Sequence, residues 1–232
     1  MAAEDVLRVT EGCVERLASE FLASPHRFHS EDSLHSQLFH YLSQAGLNEE
    51  VETVVGHPMG TLQHEYPPIV PDPGKGRRGE YDLVIFDRST IARANHWGRR
   101  MADGTPRGKP LPPLIAVEMG LDKGLAKDSK RVSSRLGEFR KELARLANRS
   151  NQVQHGFVTY FYRYATFHQR AMREMMKHIR QEAEAVTKHS RNLVVVVAAA
   201  GYDENKKFTV IEKNELRVEG GATKKAEGAL FR

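Results

Sequence analysis

The chain has 232 residues, 40% of them apolar and 28% charged, a composition that excludes a disordered or fibrous protein and is long enough for one well-buried core. Its mean hydropathy is −0.54, and no apolar run approaches the roughly 18 residues of a membrane span. The N-terminal stretch MAAEDVLRVTEGC is acidic and has no positive-then-apolar leader. The lone Cys13 excludes an internal disulfide and a multi-cysteine zinc site, so a reducing, cytoplasmic location is expected.

The net charge is +5 and it is unevenly spread. Between Lys75 and Lys109 nine basic residues face four acidic ones, a local excess equal to that of the whole chain. Such a patch points to an anionic partner, nucleic acid first, against the plainer reading of a solvated Arg-rich loop.

The elements follow in chain order. Val6, Val9, Cys13, Leu17 and Phe21 recur at spacings of three and four and predict a helix over 3–23. Ser30 is placed to cap a second helix, with Glu31 and Asp32 in the first turn, where the helix dipole favours acids. Leu34, Leu38 and Leu42 form its apolar stripe, Glu31 stands at the head of that stripe, and Gly46 ends the helix. Strand-like segments over 51–55 and 61–66 precede a Pro/Gly-rich turn, PPIVPDPGKGRRG. YDLVIFD, residues 81–87, reads as a central strand apolar on both faces, with Asp82 on the face of Val84 and Phe86. A basic loop over 88–113 leads to LIAVEM, a second buried strand over 114–119, with Glu118 on the face of Leu114, Ala116 and Gly120.

A long helix over 125–147 follows, on the stripe Leu125, Val132, Leu136, Phe139, Leu143 and Leu146. A strand (156–162), a helix (166–186) and an apolar strand (193–199) come next, and a short hairpin-like piece at 208–211 pairs with that last strand. Residues 1–216 are expected to form a single domain, and the Gly-rich, polar 217–232 a disordered tail. This order predicts an α/β fold with a central mixed sheet flanked by helices.

Two carboxylates on central strands need a reason, because an unpaired buried polar group alone costs roughly 2–7 kcal/mol. If the strands are neighbours, Asp82 and Glu118 converge at one sheet edge, and converging carboxylates repel unless a proton or a cation lies between them. Mg²⁺ is bound through one or two carboxylates, waters and substrate phosphate. The plainer reading is a pair of strand-end acids bridged to Arg77, Arg78 or Lys123. Other signals are weaker. His26, His29, His35 and His40 lack a shared helical face or a metal motif, Glu65 is a candidate further carboxylate, and GKGRRG lacks the spacing of a phosphate-binding P-loop. The basic run Lys127, Lys130, Arg131, Arg135 and Lys141 reads as a solvated face or a backbone-tracking one, and Trp97 as an anchor or a base-stacking ring.

The helix SEDSLHSQLFHYL, the segment QHEYPP, the strand GRRGEYDLVIFD, and LIAVEMG followed by a long amphipathic helix together resemble the PD-(D/E)XK nucleases, the restriction-endonuclease-like superfamily, over residues 30–147. The resemblance implies a restriction-endonuclease-like fold and a Mg²⁺ site, with Mn²⁺ as a substitute, built from Glu31, Asp82 and Glu118. It implies a metal-dependent nuclease hydrolysing phosphodiester bonds, with DNA as the expected partner, no membrane, and a homodimer left open. The family's lysine falls two residues after the glutamate, where this chain has Gly120. Either Lys123, the first choice, or Lys127 supplies the ammonium in its place, or the lysine is lost and the chain is a non-cleaving nucleic-acid- or protein-binding module. In the cleaving case Asp82, Glu118 and Lys123 carry the chemistry, and Arg77, Arg78, Arg99 and Arg100 grip phosphates.

Overall fold

The structure is a computed structural model that describes residues 1–70, 79–94, 110–122, 129–187, 193–219 and 222–225; for 129–135, 187, 210–219 and 222–225 it describes the chain path alone. Lys75, Arg77, Arg78, Trp97, Arg99, Arg100, Arg107, Lys109, Lys123 and Lys127 lie outside the described residues.

Helix α1 (Ala3–Ala23) buries Val6, Cys13, Val14, Leu17 and Phe21, the face that the sequence spacing predicts, and carries Glu4 and Asp5 in its first turn. Helix α2 (Glu31–Gln44) starts at Ser30 with reciprocal caps: the Ser30 hydroxyl accepts from the Ser33 amide, and the Ser33 hydroxyl accepts from the Ser30 amide. The helix ends where Gly46 takes a φ of +82°, in the left-handed region that glycine tolerates. These two helices cover one face of the sheet, with Leu34, Leu38 and Leu42 packed among Val117, Met119 and Leu121.

A two-stranded ribbon, β1 (Glu50–Glu52) with β2 (Pro58–Gly60), stands apart from the main sheet. The main sheet has seven strands in chain order: β3 (Leu62–Tyr66), β4 (Tyr81–Ile85), β5 (Ile115–Asp122), β6 (His155–Ala165), β7 (Leu193–Tyr202), β8 (Phe208–Glu219) and β9 (Ala222–Lys225). The β5–β6 and β6–β7 pairs are parallel and the outer pairs antiparallel, so the sheet is mixed as expected. Helices α4 (Ser129–Ala147) and α5 (Gln169–Thr187) cover the other face. Phe139 packs edge-on against Tyr160 at 5.5 Å between ring centres, and Arg140 bonds Glu182 at 2.5 Å across the two helices.

Three departures from the sequence reading have local causes. Part of the basic loop over 88–113 is a short helix, α3 (Arg88–Ala92), because the Asp87 carboxylate accepts from the Ser89 and Thr90 amides and caps it. Strand β5 runs on to Asp122, three residues past the expected end, since its pairing with β6 continues to Asp122↔Tyr162. The 208–211 piece is a twelve-residue strand, and the expected tail contributes the end of β8 and all of β9, whose backbone pairs along the sheet edge.

Candidate functional site

Strands β4 and β5 pair at Ile85↔Ile115, Val84↔Ala116 and Leu83↔Val117. The next opposed positions are Asp82 and Glu118, and there the recorded pairing ends. Instead of a ladder bond, the amide of Met119 donates to Asp82 Oδ2 at 2.5 Å. Two residues on, the amide of Leu121 donates to Glu31 Oε2 at 3.2 Å, from the first turn of α2. Strand β5 thus gathers two carboxylates from outside itself and adds its own Glu118. Asp82 does not simply follow Val84 and Phe86 onto one face, as alternation predicts. Its carboxylate turns into the fork between the strands, where His35 Nε2 of α2 lies 3.5 Å away.

Glu118 is 2% exposed and projects toward the opposite helix layer. Arg145 of α4 meets it there: Nη1 donates to Glu118 Oε1 at 2.6 Å and to the Glu80 carbonyl at 2.5 Å, with the guanidinium 5.9 Å from the Tyr81 ring centre. A second acid, Glu142, lies one turn before Arg145 and accepts from the Tyr160 hydroxyl at 2.6 Å. The site therefore draws on both helix layers, with Glu31 and His35 from α2 and Glu142 and Arg145 from α4.

The carboxyls act on one another. Burial pushes Asp82 up to about 6, with the Glu31 charge adding to the rise while His35, the Met119 amide and Arg145 oppose it. Burial raises Glu118 well above the usual carboxylate range, and the Asp82 charge adds to it against the pull of Arg145. Glu142 is pushed up to about 8, again by burial first, with the Asp82 and Glu31 charges adding. Among the described residues the Arg145 guanidinium opposes the rise of all three carboxyls, and His35 opposes that of Asp82.

Of the residues named from sequence, Asp82 and Glu31 each accept an amide of β5, and Glu118 turns to Arg145 on the other helix layer. The oxygen-only donor set suits a hard divalent cation. Among the described residues no group of three or more His, Cys, Asp or Glu is arranged to hold an ion. Leu121, Met119 and Arg145 each hold an oxygen of one of the three acids. The four histidines do not converge either: His26 packs on Phe208 and His40 lies beside Tyr41. Glu65 sits exposed on β3 with a φ of 49°. Of the basic segment, Arg93 folds back onto Ser89 of its own helix and Arg88 bonds Glu49.

The position expected to hold the lysine is accounted for. A Cβ on Gly120 would come within 2.7 Å of the Tyr160 ring, so Tyr160 takes the room a longer side chain would need. Parallel pairing sets Tyr160 directly beside Gly120.

No family model, curated protein or solved structure matches the chain. The site must be read from its own chemistry.

Sequence reading missed Glu142, Arg145 and Tyr160, and set His35 aside with the other histidines. Glu142 carried a usable signal, being three residues after Phe139 and four before Leu146 and so on the apolar stripe itself. No helix among the described residues is long and apolar enough to cross a membrane.

Proposed function

We propose that the protein is a metal-dependent nuclease of the PD-(D/E)XK kind, hydrolysing phosphodiester bonds in nucleic acid, DNA first. The observation that supports this is that Asp82 and Glu31 both accept amides of β5 next to Glu118, where the β4–β5 pairing stops. In this reading the three carboxylates hold Mg²⁺, or Mn²⁺ in its place, after Glu118 exchanges its bond to Arg145. A bound divalent ion lowers the pKa of a coordinated water and neutralises charge developing on the phosphate. The chain's own contribution is orientation. The Met119 and Leu121 amides fix the Asp82 and Glu31 carboxylates against rigid strand backbone. Lys123, or Lys127 four residues further on, supplies the ammonium that Gly120 lacks, and Arg77, Arg78, Arg99 and Arg100 hold phosphates. A cytoplasmic location belongs to the same reading and agrees with the buried free thiol of Cys13.

A second reading, a non-cleaving nucleic-acid-binding module, is favoured by one specific feature. Tyr160 fills the lysine's place, and Arg145 already neutralises Glu118. The two part on one experiment. Labelled duplex and single-stranded DNA and RNA are incubated with Mg²⁺ or Mn²⁺ and the wild-type, Asp82→Asn or Glu118→Gln protein. Wild-type cleavage lost in both variants supports the nuclease. Salt-sensitive binding without cleavage by any of the three supports the module. Neither cleavage nor binding overturns both readings.

A further inference from the structure

Helix α5 follows the carboxyl end of β6 and buries Met172, Met175, Ile179 and Ala183 against the sheet. Its other side carries Arg170, Arg173, Lys177 and Arg180, all exposed. At 3.6 residues per turn, spacings of three, four and three put the four within an arc of about 80°, so they form one stripe. Each neighbouring pair is a like-charge pair at i,i+3 or i,i+4, which by itself destabilises the helix. Among the described residues the side chain of none of the four is hydrogen-bonded or ion-paired. The acids of α5 do not balance them: Glu182 is bonded to Arg140 of α4, Glu184 is half-buried, and Glu174 is the one exposed acid among the helix's described residues. Three residues before Arg170 stands Phe167, 71% exposed, with its ring centre 4.0 Å from that of His168.

We propose that the α5 stripe is a binding surface for single-stranded nucleic acid, with Arg170, Arg173, Lys177 and Arg180 on phosphates and Phe167 stacked on a base. The proposal rests on the nucleic-acid reading above and needs no bound cation. Ten residues of helix give the stripe a length of about 15 Å, so it follows a strand over several nucleotides. Phosphates supply the negative charge that the like-charge pairs lack, and each contact gains further by releasing counterions. An exposed ring stacks on the face of any base, and an unpaired base offers that face where a paired one does not, so the single strand is the better fit. A bilayer fits poorly. The apolar side of α5 is already buried in the core, and among the described residues Phe167 is the one large apolar side chain exposed between β6 and the end of α5.

The test is binding of a labelled single-stranded oligonucleotide of mixed sequence by the whole chain, in EDTA to prevent cleavage, between about 50 and about 200 mM salt. The wild type is expected to bind with a steep salt dependence. Changing the four stripe residues together to Gln should lower the slope of log affinity against log salt by up to about 2.8, at about 0.7 per phosphate contact. Over that range the wild type then loses up to about fiftyfold more affinity than the variant. An unchanged slope overturns the proposal and leaves the nucleic-acid reading standing; if the same variant loses binding to phosphatidylserine vesicles, the stripe is a lipid surface instead. Phe167→Ala should weaken single-strand binding about fivefold or more with the slope unchanged, and Phe167→Tyr should keep the wild-type affinity. No loss in Phe167→Ala, or an equal loss on duplex DNA, overturns the stacking and with it the single-strand preference. Glu174→Lys covers the case in which the fourfold variant does not fold. It adds a cation to the stripe, so it should tighten binding and steepen the slope, and unchanged or weaker binding overturns the proposal. No binding by the wild type overturns both the stripe and the nucleic-acid reading.

Discussion

Tyr160 lies over Gly120 so closely that a Cβ at position 120 would meet its ring carbons at 2.7 and 2.9 Å. The ring cannot swing aside cheaply, because Phe139 packs on it and its hydroxyl is bonded to Glu142. Position 120 and Tyr160 are thus one packing unit, and the glycine is required by its neighbour across the parallel ladder.

Gly120→Lys is therefore expected to destabilise the fold by overpacking, by about 1–3 kcal/mol, and not to create a working lysine. Gly120→Lys combined with Tyr160→Ala should be less destabilised than the sum of the two single changes, because the second opens the room the first needs. Urea unfolding of the four proteins measures this. Strict additivity would show that the contact does not govern the position.

The raised carboxyls make a prediction about pH. A carboxyl whose folded pKa lies above its unfolded value binds more protons folded than unfolded between the two, so stability falls as pH rises through that window. For Asp82 the window runs from its ordinary value of 3.8 to about 6, and for Glu142 from 4.5 to about 8. Glu118 acts in the same direction. The metal-free protein should be more stable at pH 5 than at pH 8. Glu142→Gln keeps an oxygen that can accept from Tyr160 and has no charge to bury. It should raise stability at pH 8 by roughly 2–4 kcal/mol and reduce the slope above pH 6, where Glu118 still contributes. Urea midpoints at pH 5, 6.5 and 8 decide it, and a wild-type stability that is flat or rising over this range would contradict the assignment.

What the sequence disclosed of this site follows a physical line. Glu31, Asp82 and Glu118 were legible because each is an acid in an otherwise apolar pattern, and the Ser30 cap was legible because capping is local. Glu142 obeyed the same rule, yet α4 is dense with charge and the signal drowned in its neighbours. Arg145 and Tyr160 were not legible. Arg145 finds Glu118 from 27 residues away, and Tyr160 is set over Gly120 by the parallel β5–β6 register, a non-local quantity. The Asp82 orientation failed for a related reason. Alternation assumes a continuous ladder, and the ladder ends after Leu83↔Val117. Strand β9 went unread because an edge strand needs backbone partners rather than an apolar pattern, and Lys224 and Lys225 sit where edge strands commonly carry charge.

The last prediction concerns Asn151, which is 1% exposed and far from the acids in sequence. Its Oδ1 accepts from the Val70 amide at 2.7 Å, and its Nδ2 donates to the Arg145 carbonyl at 2.9 Å. One side chain thus joins the segment after β3 to the last turn of α4, at the residue whose guanidinium holds Glu118. Asn151→Ala deprives one amide and one carbonyl of a partner at once. With each lost partner of a buried group costing about 1–3 kcal/mol, the change should destabilise the protein by roughly 2–4 kcal/mol. Asn151→Asp keeps the acceptor for Val70 but replaces the donor by an oxygen facing the Arg145 carbonyl, so it should be as damaging as alanine or more so at pH 7. Because the lost bond ends on Arg145, both variants should also broaden or shift the Arg145 Nε–Hε resonance in protein that is still folded. Thermal unfolding and that resonance together check the link. A variant destabilised as expected with an unmoved Arg145 signal would show that Asn151 supports the α4 end without reaching the site.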